Sequence, residues 1–142
     1  MRRSITGGVL TLVTLLTIGT SHGIAQEIAW STDIQSAWKT AQRSNRPMLV
    51  FVTSSSCPYC RKMESNTMAS PAIARRINGS YVPAILNAEE SGAIAAQLQV
   101  RSVPATIVIS PDGRIADRLD GYVSPATLQA RLDSVLKQLG TP

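Results

Sequence analysis

An uninterrupted apolar run, Met48-Leu49-Val50-Phe51-Val52, leads through Ser54-Ser55-Ser56 into Cys57-Pro58-Tyr59-Cys60, and a helical pattern follows at once from Arg61. A run of that length without alternation suits a central strand covered on both faces. Two cysteines three apart at a helix start share one face, about one turn from each other. That spacing allows a disulfide, and a helix N-terminus stabilises a thiolate. No other cysteine exists in the chain. Any sulfur chemistry happens here.

The 142 residues suit a single domain preceded by a leader. Arg2 and Arg3 give a short basic start, Val9 to Ile18 is apolar apart from threonines, and Gly23-Ile24-Ala25 supplies small residues two apart. The pattern predicts a secretory signal peptide over 1–25, cleaved after Ala25, with residues 26–142 as the mature domain. An uncleaved anchor is the alternative, but the run falls short of the roughly 18–20 residues that span a bilayer. No stable membrane insertion is expected after cleavage. The destination is an exported space, read as a bacterial periplasm.

Removing Arg2 and Arg3 leaves 12 of the 14 basic residues against 9 acidic ones. No dense basic face or aromatic-interleaved patch accompanies that excess, so nucleic acid is not an expected partner. The single histidine, His22, departs with the leader. That excludes Ser-His and Cys-His catalysis and any Cys/His zinc site from the mature domain. A domain of this size needs no disulfide staple, and a bridge closing so short a loop constrains the unfolded chain little.

Ser31 or Thr32 is the expected cap of a first helix carrying Ile34, Ala37, Trp38 and Ala41 at helical spacing. Ser44-Asn45-Arg46-Pro47 ends it, and Met48 to Thr53 is the first strand. A helix runs from Pro58 to about Met68, with Pro58 tolerated in its first turn. Ser70-Pro71 starts another through Ile77, stopped by Asn78-Gly79. Tyr81 to Asn87 is a strand despite Pro83, and Ser91 caps a short helix to about Leu98. Val103-Pro104 precedes the β-branched strand Ala105 to Ile109, and Ser110-Pro111-Asp112-Gly113 turns the chain into its partner, Arg114 to Leu119. Ser124-Pro125 caps the last helix, closed by Gly140. A crossover helix makes the first strand pair parallel and the hairpin makes the last antiparallel, so the sheet is mixed with helices on both faces.

In that register the chain resembles the thioredoxin-like superfamily. The resemblance rests on the strand before Cys57-Pro58-Tyr59-Cys60, on Val103-Pro104 before a strand, on Pro111-Asp112-Gly113 in the hairpin, and on Gly121-Tyr122-Val123-Ser124 before the last helix. Trp30, Trp38, Arg46-Pro47 and Cys60-Arg61-Lys62-Met63 are similar to its exported branch, related to periplasmic disulfide-interchange domains. The resemblance implies an α/β thioredoxin fold with a central sheet of about four to five strands. It also implies a cis bond before Pro104, with the Val103 backbone pairing with substrate. Cys57 and Cys60 become the redox pair, with Pro58, Tyr59, Val103 and Pro104 around the substrate. Two positions depart from thioredoxins proper. Phe51 stands where they carry a buried aspartate serving the second cysteine, and Ser56 where a tryptophan precedes the first. Glu64, one turn beyond Cys60, is the nearest sequence-local carboxylate, as proton acceptor or as a solvated helix-face residue.

The function this implies is exported thiol–disulfide exchange with protein substrates through a mixed disulfide on Cys57, resolved by Cys60. A monomer, protein disulfide or dithiol substrates, an upstream redox partner and no cofactor or metal complete the expectation. The alternative is a non-catalytic binding module of the same fold with a static disulfide. A metal-delivery protein is a third class, but two cysteines without histidine offer too few ligands unless two chains meet.

Overall fold

The computed structural model describes residues 26–140, and the expected signal segment, 1–25, lies outside the described residues. After an extended start, Ser31 forms an isolated parallel bridge to Ala84. Helix α1 covers Ile34–Ser44 and is capped by Asp33 rather than by Ser31 or Thr32. The Asp33 carboxylate accepts from the N–H groups of Gln35 at 3.0 Å and Ser36 at 3.1 Å. One anion there satisfies two free donors and meets the positive helix end, which a hydroxyl cannot match. Asn45 closes α1 in left-handed backbone, φ 50°.

The strands are β1 (Met48–Thr53), β2 (Val82–Asn87), β3 (Ala105–Ile109) and β4 (Ile115–Asp120). They form one four-stranded sheet in the order β2-β1-β3-β4. β1 runs parallel to β2 and antiparallel to β3, and β3 and β4 form the hairpin. The sheet is thus mixed, with four strands. Pro83 is accommodated because β2 is an edge, where a missing ladder donor costs little. In the turn, Gly113 takes φ 90° and its N–H donates to the Ser110 carbonyl at 2.8 Å.

β1 supplies both cores. Leu49 and Phe51 pack with Met63, Ile73, Ile77, Leu128 and Leu132. Met48, Val50 and Val52 pack on the other face with Ala37, Ala41 and Ala95. The helices completing these layers are α2 (Pro58–Lys62), α3 (Pro71–Ser80), α4 (Gly92–Gln97) and α5 (Pro125–Leu139).

Two helices depart from expectation. The one starting at Pro58 widens after Lys62 into π-helical turns over Met63–Met68. Meanwhile α3 runs through Asn78-Gly79 to Ser80. The Asn78 side chain accepts from the Ala29 N–H at 3.0 Å and donates to the Glu27 carbonyl at 2.8 Å. Those tertiary bonds offset the weak helix propensity of the pair.

Candidate active site

Past Thr53 the sheet ladder gives out, with a last bond from the Ala88 N–H to the Thr53 carbonyl at 2.9 Å. Ser54, Ser55 and Ser56 then carry the chain over the end of the sheet to Cys57, which caps α2. The Cys57 sulfur accepts from the Cys60 N–H at 3.2 Å, so the side chain does the work of an N-cap hydroxyl. Pro58 occupies the first turn, where its missing N–H leaves no gap. The Cys57 N–H donates to the Ser54 carbonyl at 3.3 Å, and the Arg61 guanidinium to the Ser55 carbonyl at 3.1 Å.

The two sulfurs have different surroundings. Cys57 is half-buried and Cys60 fully buried, and both are free thiols. Burial pushes the Cys60 thiol up to about 11, reinforced by the adjacent Cys57, while the Ser54 backbone and the Thr53 hydroxyl pull against the rise. Low dielectric disfavours the charged form, so Cys60 holds its proton at neutral pH.

Facing the pair from β3 is the turn at Val103-Pro104, whose peptide bond is cis as the resemblance implied. The Cys57 thiol donates to the Val103 carbonyl at 3.6 Å. Pro104 is buried and Val103 half-buried. Between the cysteines Tyr59 is 63% exposed, a large ring presented to solvent. All six residues singled out in the sequence therefore converge on one end of the sheet.

Behind Cys60, Phe51 is fully buried and packs against Trp30, ring centroids 5.9 Å apart. A carboxylate at the end of β1 comes instead from the π-helical turn. Glu64 accepts from the Thr53 hydroxyl at 2.6 Å, and that hydroxyl is also one of the groups that pull against the rise of the Cys60 thiol. Glu64 lies on the surface and lines, with Trp30, Phe51, Met68 and Ile85, a cavity of about 290 Å³.

One group went unnoticed in the sequence. Glu89, in the turn after β2, accepts from all three serine hydroxyls that precede Cys57: Ser54 at 2.5 Å, Ser56 at 2.8 Å, and Ser55. Those donors hold its carboxyl down at about 2. The triple serine was the available signal, but nothing local in the sequence pairs it with a glutamate 33 to 35 positions later.

Among the described residues, no group of three or more His, Cys, Asp or Glu side chains could hold a metal ion, and no helix is long and apolar enough to cross a membrane.

The fold and the cysteine pair beside a cis-proline define a class, proteins built for thiol–disulfide exchange. Residues 34–136 match the family model of the thioredoxin-like domain, and the chain belongs to that family. No curated protein sequence matches it. Among solved structures it is similar to a thioredoxin from Thermus thermophilus, with 24% identity and a TM-score of 0.73 over 80% of this chain and 91% of that one. It is also similar to a DsbH oxidoreductase, with 18% identity and a TM-score of 0.70 over 87% and 95%. The reduced C-terminal domain of Neisseria meningitidis DsbD shares 17% identity, with a TM-score of 0.63 over 72% and 96%. At these identities the likenesses establish the fold.

Proposed function

We propose that the protein is an exported thiol–disulfide oxidoreductase acting on protein substrates through Cys57 and Cys60. The observation that carries the reading is the asymmetry of the pair. One sulfur is reachable, bonded by a helix N–H and set against the Val103 carbonyl, and the other is buried and protonated. The Cys57 thiolate attacks one sulfur of a substrate disulfide. A Cys57–substrate bond forms, the substrate S–S bond breaks, and the departing thiolate takes up a proton. Cys60 then loses its proton and attacks the Cys57 sulfur, closing the Cys57–Cys60 disulfide and releasing the second substrate thiolate. Run backwards, the same steps oxidise a dithiol.

The proton that Cys60 must lose has a route in the contacts behind it. Thr53 donates to the Glu64 carboxylate, and its hydroxyl also pulls the Cys60 thiol down, so in this reading Glu64 accepts the proton through the Thr53 hydroxyl. Val103 presents its backbone to the substrate chain beside Pro104, with Tyr59 and Pro58 forming the opposite wall. Residues 1–25 direct export to a periplasm and are removed after Ala25. The domain works as a monomer, recharged by an upstream redox protein. The likeness to the DsbH oxidoreductase and the DsbD C-terminal domain supports this setting.

The test is to trap the intermediate. Cys60→Ser should accumulate mixed disulfides with exported proteins, released by dithiothreitol, while Cys57→Ser should trap none. Adducts formed through Cys60 in the Cys57→Ser protein would overturn the assignment of roles.

A further inference from the structure

The three residues that carry the chain from the sheet to Cys57 are held on two sides. On one side stands Glu89. The Ala88 N–H continues the β1–β2 ladder onto the Thr53 carbonyl, and the Asn87 side chain accepts from the Glu89 N–H at 2.9 Å. That anchors the turn from which the carboxylate reaches the loop. Its Oε1 accepts from the Ser54 hydroxyl at 2.5 Å and from the Ser56 hydroxyl at 2.8 Å, and Oε2 from that of Ser55. On the other side, the helix that follows takes up the loop carbonyls. Ser54 accepts from the Cys57 N–H at 3.3 Å, and Ser55 from the Arg61 guanidinium at 3.1 Å.

Between these holds Cys57 has little freedom. Ser56, the residue before it, is tied to Glu89, and the Cys57 N–H is tied to Ser54. Cys57 sits at φ −94° and ψ 112°, and from there its sulfur meets the Cys60 N–H at 3.2 Å and the Val103 carbonyl at 3.6 Å. Both contacts of that sulfur depend on where the loop delivers it. Ser54 is 8% exposed, and its hydroxyl has no partner other than Glu89 and the Ser56 oxygen at 3.2 Å. A buried hydroxyl left without its acceptor is costly, so losing the carboxylate shifts the loop.

We propose that Glu89 is a positioning residue for attack by Cys57: by binding the Ser54, Ser55 and Ser56 hydroxyls it holds the loop that sets the Cys57 sulfur on the Cys60 N–H. The inference rests on the assignment of Cys57 as the attacking sulfur. Glu89 also brings a negative charge to the loop of a sulfur that must become a thiolate, and charge alone opposes that step. Position and charge therefore act with opposite signs. Experiment can separate them.

Iodoacetamide is uncharged and alkylates a thiolate in one irreversible step, the sulfur bonding to carbon as iodide leaves. Cys60 is fully buried and stays protected while the protein is folded. Mass spectrometry of the reduced protein at neutral pH follows each cysteine separately. Glu89→Gln removes the charge and keeps an acceptor oxygen for Ser54 and Ser56, whereas Glu89→Ala removes both. Cys57 should react about threefold more slowly in the alanine variant than in the glutamine variant. One lost hydrogen bond lowers the thiolate population about fivefold, and the higher intrinsic nucleophilicity of a less stabilised thiolate returns part of it. The glutamine variant should match or exceed the wild type. Ser54→Ala, which removes the buried hydroxyl and keeps the charge, should fall below the wild type, and it carries the test if Glu89→Ala does not fold. Equal rates in the alanine and glutamine variants, or a Ser54→Ala protein as fast as wild type, overturn the proposal. So does faster alkylation at both cysteines with a lowered melting temperature, the mark of a merely structural residue. Failure of the oxidoreductase reading shows separately, in a Cys60→Ser protein that traps no mixed disulfide.

Discussion

Cys60 sets the chemical direction of the site because its proton is the one that must move. With burial holding the thiol near 11, only a small fraction is thiolate at neutral pH, and resolution draws on that fraction or on a base. Resolution should therefore accelerate with pH across the neutral and mildly alkaline range, while Glu64, through Thr53, lifts the rate at the neutral end. Glu64→Gln removes that help. The expected outcome is a neutral-pH resolution rate lower by about a hundredfold, at the modest end of what one general base contributes, converging with wild type as pH approaches the Cys60 value. Rapid-quench measurement of mixed-disulfide decay from pH 6 to 10 reads it directly. Equal profiles for the two proteins would remove Glu64 from the proton path. Phe51 explains why the base comes from a helix: the strand position that could offer a carboxylate is filled by a ring locked into the core against Trp30.

At the scale of elements, the site depends on how β1, the helix after it and the loop before α5 are fastened together. The widened turn over Met63–Met68 turns Met63, Thr67 and Met68 inward. Thr67 donates to the Val123 carbonyl at 2.6 Å, Asn66 to the Tyr122 hydroxyl at 2.7 Å, and the Lys62 ammonium lies 4.4 Å from the centre of the Tyr122 ring. These contacts draw Gly121-Tyr122-Val123 beside the cysteines. Away from the site, Tyr81 joins the end of α3 to α5, its buried hydroxyl donating to the Leu132 carbonyl at 2.7 Å. Burial pushes that phenol well above its ordinary value, so it stays a donor at any working pH. Tyr81→Phe should cost about 1 kcal/mol, the net worth of one such bond, seen as a lower denaturation midpoint with an unchanged slope and unchanged exchange kinetics. Much at this scale was legible in the sequence. The unbroken apolar run of β1, the Pro111-Asp112-Gly113 turn and the Ser124 cap, which accepts from the Thr127 N–H at 3.2 Å, are local signals with local causes. The π-helical widening and the extension of α3 past Gly79 were not, because tertiary partners on Val123, Glu27 and Ala29 decide them.

The whole molecule shows the same division. Cys57, Cys60 and the Val103-Pro104 turn could be read because spacing and resemblance both marked them, whereas Glu89 could not, since only the parallel pairing of β1 with β2 brings its turn over Ser54. That same sheet end makes the folded state sensitive to the redox state of the pair. In the reduced protein the Cys60 thiol is raised from an ordinary value of 9.0 to about 11, so the unfolded chain ionises first. Below pH 9 both states keep the proton and stability is undiminished. Between 9 and 11 the unfolded state binds fewer protons and the reduced fold loses stability, by on the order of 2–3 kcal/mol once both have ionised. The oxidised protein has no Cys60 proton to lose. Urea unfolding of the two forms from pH 7 to 11 should therefore give curves whose separation shifts in favour of the oxidised form above pH 9, and Cys60→Ser, which cannot form the disulfide, should lack the reduced wild type's loss of stability between pH 9 and 11. If the two forms keep a constant separation through pH 11, Cys60 is not the buried proton carrier that the exchange requires.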